Sequence, residues 1–111
     1  MQLSYAIKFV RDMDEAVAFY RDKLGLEPRF QSSEWSEFAT GGTTLALHPA
    51  SDANPAGGVE LGFAVDNLGE FYARRAELGV EFTGEPKEMH GVHIAQIRDA
   101  DGAHVSVSGP V

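Results

Sequence analysis

The sequence predicts an α+β fold made of two copies of one β-α-β-β-β module. A helix-forming stretch occurs twice, 54 residues apart, so that Asp12 corresponds to Asp66 and Gly25 to Gly79. A glycine followed by alternating apolar residues also occurs twice, at Gly42 and at Gly102, which are 60 residues apart. A solenoid needs about three or more repeats. Two copies, each near half of the chain, therefore indicate two related modules.

The first module begins with a strand and a helix. Residues 3–10 are rich in β-branched and aromatic side chains, which is typical of a strand. Asp12 is placed to cap the helix that follows, over residues 13–24. Gly25 can adopt the left-handed conformation that ends such a helix. The apolar residues of the stretch recur with the helical period, at Met13, Ala16, Val17, Tyr20 and Leu24.

The rest of the first module reads as three strands. Residues 27–40 hold two of them, with a turn near residues 32–34, and Gly41-Gly42 is a turn signal before the third, over residues 43–48. Pairing across this turn sets Phe38 opposite Leu45 on the face that the helix covers. The other face then carries Trp35, Glu37, Ala46 and His48.

A linker separates the two modules of this single domain. Residues 49–58 are rich in proline, glycine and small side chains, so the modules are expected to span 1–50 and 58–111. The next strand alternates, with Leu61 and Phe63 on its helix-facing side. Asp66 is predicted to cap the second helix. Residues 81–91 contain Pro86 and are expected to form an irregular edge strand or a loop.

The last two strands are expected to form a hairpin over residues 92–98 and 103–108. A three-residue loop with a left-handed Gly102 sets Ile97 opposite Val105, whereas a two-residue loop would set Ile97 opposite His104. The first register pairs apolar with apolar side chains and is preferred. The face turned away from the helices then includes Gln96, His104 and Ser106.

Composition excludes several classes of protein. Nine basic and 17 acidic residues give a net charge of −8 without a Lys/Arg cluster, which argues against a nucleic-acid partner. No apolar run approaches the ~20 residues of a membrane span. The chain has no cysteine and therefore no disulfide framework. A cytoplasmic protein without a membrane partner is expected.

Three segments resemble one known family. They are FVRDMDEAVAFYRDKLGL at residues 9–26, VELGFAVDN at 59–67 and RDADGAHVSV at 98–107. The chain, over essentially its whole length, is similar to the vicinal oxygen chelate superfamily, the group of glyoxalase I, bleomycin-resistance proteins and extradiol dioxygenases. Ala100 stands where that family usually has proline. The resemblance implies that the two modules form an eight-stranded cup with the helices on its outer face, and usually a homodimer.

The resemblance also implies where a metal would be held. The metal enzymes of the family use His or Glu at up to four equivalent positions, which in this chain are Tyr5, Ala46, Glu60 and Ser106. Only Glu60 is a good ligand, and one carboxylate cannot build such a site. No metal and no other cofactor are therefore expected, and the metal-dependent activities are disfavoured.

The side chains predicted to face the cup form the candidate site. Trp35 could serve as a platform for a flat ligand. Glu60 has small neighbours above it and could act as a base or a polar anchor, unless it forms a salt bridge with Arg98 or a histidine. His48 is the second acid–base candidate. The predicted ligand-binding residues are Tyr5, Trp35, Glu37, Gln96, His104 and Ser106.

Three classes of function remain open. The first, which the lost metal ligands and Trp35 favour, is a metal-free binding protein for a small organic molecule such as an aromatic one, similar to sequestering resistance proteins. The second is an enzyme of lyase, isomerase or dioxygenase type that uses Glu60 and His48, either without metal or with an unusual metal site that includes Glu37. The third is a structural or regulatory subunit with a vestigial cup.

Overall fold

The structure, a computed structural model, describes residues Met1–Val111. It confirms the α+β class, and its nine strands and few helices are consistent with the predicted βαβββ fold. None of its helices is long and apolar enough to cross a membrane. The chain divides into two compact units, residues 4–59 and residues 60–111 together with 1–3. The strands are β1 (Gln2–Val10), β2 (Glu27–Phe30), β3 (Ser36–Ala39), β4 (Thr44–Pro49), β5 (Val59–Ala64), β6 (Glu81–Phe82), β7 (Lys87–Met89), β8 (Val92–Arg98) and β9 (His104–Ser108).

The sheet of the unit 4–59 has the strand order β2-β3-β4-β1. Strand β3 is antiparallel to β2 and to β4, whereas β4 runs parallel to β1. Phe38 lies opposite Leu45 and Glu37 opposite Ala46, as the glycine turn predicts. Because successive side chains alternate between faces, Glu37 and Phe38 point to opposite sides of this sheet.

The helix α1 (Met13–Ala18) packs on the face of this sheet that carries Phe38. Its amino end is capped by Asp12, whose Oδ1 accepts a hydrogen bond from the Glu15 amide at 3.1 Å. Val17 is buried with Val10, Phe38 and Leu47. The regular helix ends earlier than predicted and continues as a wider π-helical turn, Phe19–Lys23. This turn changes the helical spacing, and Leu24, predicted to belong to the apolar stripe, is 56% exposed.

The sheet of the unit 60–111 has the order β5-β9-β8-β6, and β7 also pairs with β8. The hairpin register with Ile97 opposite Val105 is confirmed. Leu68, Ala95 and Val107 form the buried centre, with Val65, Phe71, Phe82 and Ile97 around them. Leu61, predicted on the helix-facing side of its strand, lies opposite the buried Val105 but is itself 40% exposed. The buried cluster begins only at Val65, near the end of β5 that leads into the helix.

The second helical region consists of α2 (Leu68–Ala73) and α3 (Arg75–Leu78). The predicted cap, Asp66, is wrong by one residue. The cap is Asn67, whose Oδ1 accepts a hydrogen bond from the Glu70 amide at 2.9 Å. Helix α2 starts at Leu68, which makes Asn67 the residue directly before it. Gly79 ends α3 with φ of 72°, and Gly25 has φ of 71°, so both repeated glycines adopt the left-handed conformation.

The tail after β9 is attached to the start of α2. The Val65 amide donates to the Ser108 carbonyl at 2.8 Å, and the Leu68 amide donates to the Pro110 carbonyl. Between these two bonds, Gly109 passes so close to Val65 that an added Cβ atom would overlap the Val65 carbonyl oxygen. Only glycine allows this approach.

Candidate functional site

Four of the predicted site residues meet on the sheet face of the unit 4–59 that is opposite α1. We call this group, Tyr5, Trp35, Glu37 and His48, the Trp35 cluster. The indole Nε1 of Trp35 donates to Glu37 Oε2 at 2.8 Å, and the Tyr5 hydroxyl is 3.5 Å from the same oxygen. One carboxylate oxygen therefore fixes the orientation of the indole and faces the phenol.

The aromatic rings of the Trp35 cluster pack at an angle to one another. The Trp35 ring centroid is 6.2 Å from that of Tyr5 and 6.2 Å from that of His48, with interplanar angles of 57° and 81°. Phe9, which the sequence analysis missed, lies edge-on to His48 at 5.7 Å. The only sequence signal for Phe9 was its position in β1: alternate residues of a strand share a face, so Phe9 lies on the same face as Tyr5. Trp35 is half-buried and His48 is exposed, so the cluster has an accessible side.

A serine turn holds the backbone of Trp35, which lies directly before β3. Ser32 Oγ accepts a hydrogen bond from the Trp35 amide at 3.0 Å and donates to the Trp35 carbonyl at 2.8 Å. Ser36 Oγ donates to the Ser32 carbonyl at 3.2 Å. These serines were not predicted to matter, although serine side chains often bond to backbone groups a few residues away. The turn fixes Trp35 without placing it in a strand.

Burial raises the pKa of Tyr5 above its ordinary value, and the adjacent Glu37 carboxylate adds to this shift through its charge and its hydrogen bond. Arg29 acts in the opposite direction on the pKa of Tyr5. The Arg29 guanidinium is itself held by a hydrogen bond to Thr44 Oγ1 at 3.1 Å. Tyr5 therefore remains a neutral hydrogen-bond donor over a wider pH range than a free tyrosine.

The other four predicted site residues meet in the unit 60–111. We call this group, Glu60, Gln96, His104 and Ser106, the Glu60 network. Gln96 Nε2 lies 3.3 Å from Glu60 Oε1 and 3.4 Å from Oε2, and Ser106 Oγ donates to Glu60 Oε2 at 2.5 Å. The Oε1 atom of Gln96 is 3.1 Å from Nδ1 of His104. The Glu60 carboxylate is thus engaged by two side chains from neighbouring strands.

The salt bridge between Glu60 and Arg98, which the sequence left open, does not form. Arg98 instead pairs with Glu81 at 3.3 Å and donates to the Gly102 carbonyl at 3.0 Å. A salt bridge between Glu60 and a histidine does not form either, since Gln96 stands between Glu60 and His104. Neither a guanidinium nor an imidazole neutralises Glu60 directly.

The donors at the four family metal positions do not fit a divalent ion. Ala46 is buried and offers no ligand atom, and the Ser106 hydroxyl uses its proton on Glu60. No group of three His, Cys, Asp or Glu side chains is arranged to hold a metal, the set Glu37, His48 and Glu60 included.

A separate cavity of about 460 Å³ lies beside α1, and no member of the Trp35 cluster or of the Glu60 network lines it. Its walls include Lys8, Arg11, Phe19 and Tyr20. The Lys8 amine reaches toward the Gly57 carbonyl at 3.4 Å. This opening accounts for a lysine on the helix-facing side of β1, since its charged end is not enclosed by the apolar core.

The chain belongs to the Glyoxalase/Bleomycin resistance protein/Dioxygenase superfamily. The sequence model of that family matches residues 2–107, nearly the whole chain. The match confirms the resemblance seen in the sequence motifs.

Individual proteins are similar to this chain in sequence or in structure. The uncharacterized protein YetH of Bacillus subtilis is 26% identical, with coverage of 91% of this chain and 92% of YetH. Methylmalonyl-CoA epimerase from Mycobacterium tuberculosis is similar in structure, with a TM-score of 0.77, 20% identity, and coverage of 99% of this chain and 88% of that one. A hypothetical protein from Bacillus halodurans C-125 has a TM-score of 0.77 at 18% identity, covering 99% and 94%. At these identities the structural likeness shows the fold alone.

Proposed function

We propose that this protein binds a small, at least partly flat organic molecule at the Trp35 cluster. Trp35 is the platform and Glu37 the polar anchor of the proposed site. The observation that carries the proposal is the hydrogen bond from the indole to Glu37 at 2.8 Å, which fixes a half-buried aromatic ring on an accessible sheet face. A ring held in place before binding loses little conformational freedom when a ligand stacks on it.

Glu37 supports the same proposal through its second oxygen. Trp35 and Tyr5 both direct their donors to Oε2, which leaves Oε1 unused by either residue. Carboxylate oxygens accept several hydrogen bonds, so Oε1 can receive an N–H, a hydroxyl or a cationic group of the ligand. A flat molecule with one such donor fits the cluster better than a purely apolar one.

An enzyme that uses Glu60 and His48 is the alternative proposal. The two residues belong to different units, and each has its own partners. Glu60 accepts hydrogen bonds from Ser106 and Gln96, and His48 Nδ1 is 2.8 Å from the Pro49 carbonyl. Both side chains are thus already engaged by partners within their own units, which favours the binding proposal. A thioester substrate is not proposed, because the epimerases share only their fold with this chain.

The test is a titration followed by the fluorescence of Trp35, the only tryptophan in the chain. A panel of aromatic antibiotics, quinones and nucleoside-like compounds should contain ligands that quench or shift its emission. By calorimetry, Trp35→Phe should weaken binding of such a ligand by about 0.5–1.5 kcal/mol, since a smaller ring keeps burial but loses indole geometry.

Two further variants make this test specific. Phe19→Leu changes an exposed aromatic residue of the π-helical turn, outside the cluster, and should leave affinity unchanged. Glu37→Gln should weaken only ligands with a donor or a cation. A broad panel that leaves the Trp35 emission unaltered would contradict the proposal.

A further inference from the structure

The Glu60 network includes a contact between the Gln96 amide and the His104 ring. We infer that Glu60, acting through the Gln96 amide, holds neutral His104 as its Nδ1–H tautomer, so that Nε2 is presented as a site for a ligand hydroxyl or N–H group. This site is in the unit 60–111 and is independent of ligand binding at the Trp35 cluster. It makes His104 a group of this network that can exchange hydrogen bonds with a ligand.

The Glu60 carboxylate fixes the orientation of the Gln96 amide. An ionised carboxylate can only accept hydrogen bonds. The Gln96 nitrogen, 3.3 and 3.4 Å from the two Glu60 oxygens, must therefore be the side of the amide that faces Glu60. A reversed amide would place its oxygen against the carboxylate and lose both contacts. Gln96 also lies directly opposite Ser106 in the β8–β9 ladder, so both donors reach Glu60 from paired positions.

The position of the Gln96 amide determines which nitrogen of His104 can donate to it. With its nitrogen on Glu60, Gln96 directs Oε1 toward Nδ1 of His104 at 3.1 Å. An amide oxygen cannot donate, so Nδ1 must carry the proton. Free neutral histidine in water favours the other tautomer, with the proton on Nε2. The network therefore selects a form that an isolated imidazole would not prefer.

His104 lies at the surface of the unit 60–111. Its side chain is exposed, so a ligand can reach Nε2. Arg98 lies opposite it on β8, but this guanidinium is engaged by Glu81 and by the Gly102 carbonyl. When His104 takes up a proton, the Nδ1–H bond to Gln96 can persist, and only Nε2 changes, from acceptor to donor. Exchange with a ligand then takes place at one nitrogen in both protonation states.

The experiment measures the tautomer of His104 from the imidazole ¹⁵N resonances at about pH 8.5, roughly two units above the ordinary histidine pKa of ~6.5. The signals of His104 are assigned with His104→Gln. In the wild-type protein, the Nδ1–H form should predominate. Gln96→Leu removes the acceptor and should make the Nε2–H form predominate. Glu60→Gln frees the amide to reverse and should lower the ratio of Nδ1–H to Nε2–H by about threefold to tenfold, the range for one net hydrogen bond.

Two controls separate this effect from a general loss of structure. Ser106→Ala removes a donor to Glu60 but keeps the Gln96 amide and the His104 ring. The tautomer of His104 should therefore be retained. His48 is an internal reference, because its Nδ1 faces the Pro49 carbonyl and should keep its tautomer in every variant. Trp35→Phe should also leave His104 unchanged, so that failure of the proposed ligand site and failure of this inference are distinguishable.

The ligand class is tested with phenol and anisole, which differ in one hydrogen-bond donor. Phenol should perturb the His104 Nε2 resonance about threefold to tenfold more effectively than anisole, and Gln96→Leu should remove this preference. The Nε2–H form predominating in the wild-type protein, a tautomer ratio unchanged in both Gln96→Leu and Glu60→Gln, or an equal response to the two probes would overturn the inference. The tautomer of His104 in the wild-type spectrum tests the inference even if a variant fails to fold.

Discussion

Burial and the neighbouring Glu37 carboxylate together set the ionisation of Tyr5. Its raised pKa results from burial first and from Glu37 second, so its ionisation is disfavoured in the folded protein. Between the unfolded tyrosine pKa of ~10 and the higher folded value, the folded state binds more protons than the unfolded state. The stability contributed by neutral Tyr5 is therefore complete below the unfolded pKa and is lost as pH rises through the folded pKa.

Because the stability contributed by neutral Tyr5 is lost as pH rises, the protein should be easier to unfold in alkaline solution. Between about pH 9 and pH 11, the free energy of unfolding should fall more steeply for the wild-type protein than for Tyr5→Phe, because only the former loses the bond of a neutral phenol. Urea unfolding at several pH values measures this difference. Tyr72→Phe is the matched control and should keep the wild-type slope. Equal slopes for wild type and Tyr5→Phe would show that Tyr5 is not perturbed.

The sequence could predict the positions of most site residues but not their partners. Strand alternation predicted that Glu37 and His48 share a sheet face and that Gln96 and Ser106 do so too. It could not show that Glu37 binds the indole, because that bond depends on side-chain rotamers and on a turn built by Ser32 and Ser36. Whether Glu60 would bond to Arg98 or to Gln96 was equally open, since several partners lie within reach of a long side chain.

The helix caps give a prediction at the scale of the elements. Asp12→Ala and Asn67→Ala each remove the side-chain acceptor for a first-turn amide and should destabilise the protein by about 0.5–2 kcal/mol. Thermal or urea unfolding measures both variants. Asp14→Ala and Asp66→Ala change acidic residues beside the caps without removing a cap and should stay within about 0.5 kcal/mol of wild type. A larger loss for Asp66→Ala than for Asn67→Ala would contradict the assigned cap.

Element order and hairpin registers could be predicted because they depend on local rules. A glycine turn between alternating segments leaves few registers, and matching apolar partners selects one of them. The π-helical turn after α1 and the exposure of Leu24 and Leu61 depend on packing between distant residues. The cap position moved by one residue because Asp66 and Asn67 are both good caps. Adjacent equivalent residues cannot be separated by sequence alone.

Assembly is the prediction that belongs to the whole molecule. We expect a homodimer, as the family resemblance implies. Strand β2 is at the edge of its sheet, and Phe30 in that strand is 54% exposed. Open edges and exposed apolar side chains are surfaces that a partner can cover. Sedimentation at micromolar concentration should give twice the chain mass of 12.0 kDa, and a monomer there would contradict the expectation.

Gly109 and Gly25 would leave different signatures in a library of random variants. Gly25 is needed for its left-handed backbone, and nothing lies within 4 Å of the place where a side chain would begin. Asparagine tolerates that backbone and should be recovered there. At Gly109 the obstacle is the Val65 carbonyl, which every residue with a Cβ atom would meet. This position, outside every helix and strand, should therefore accept fewer replacements than many core residues.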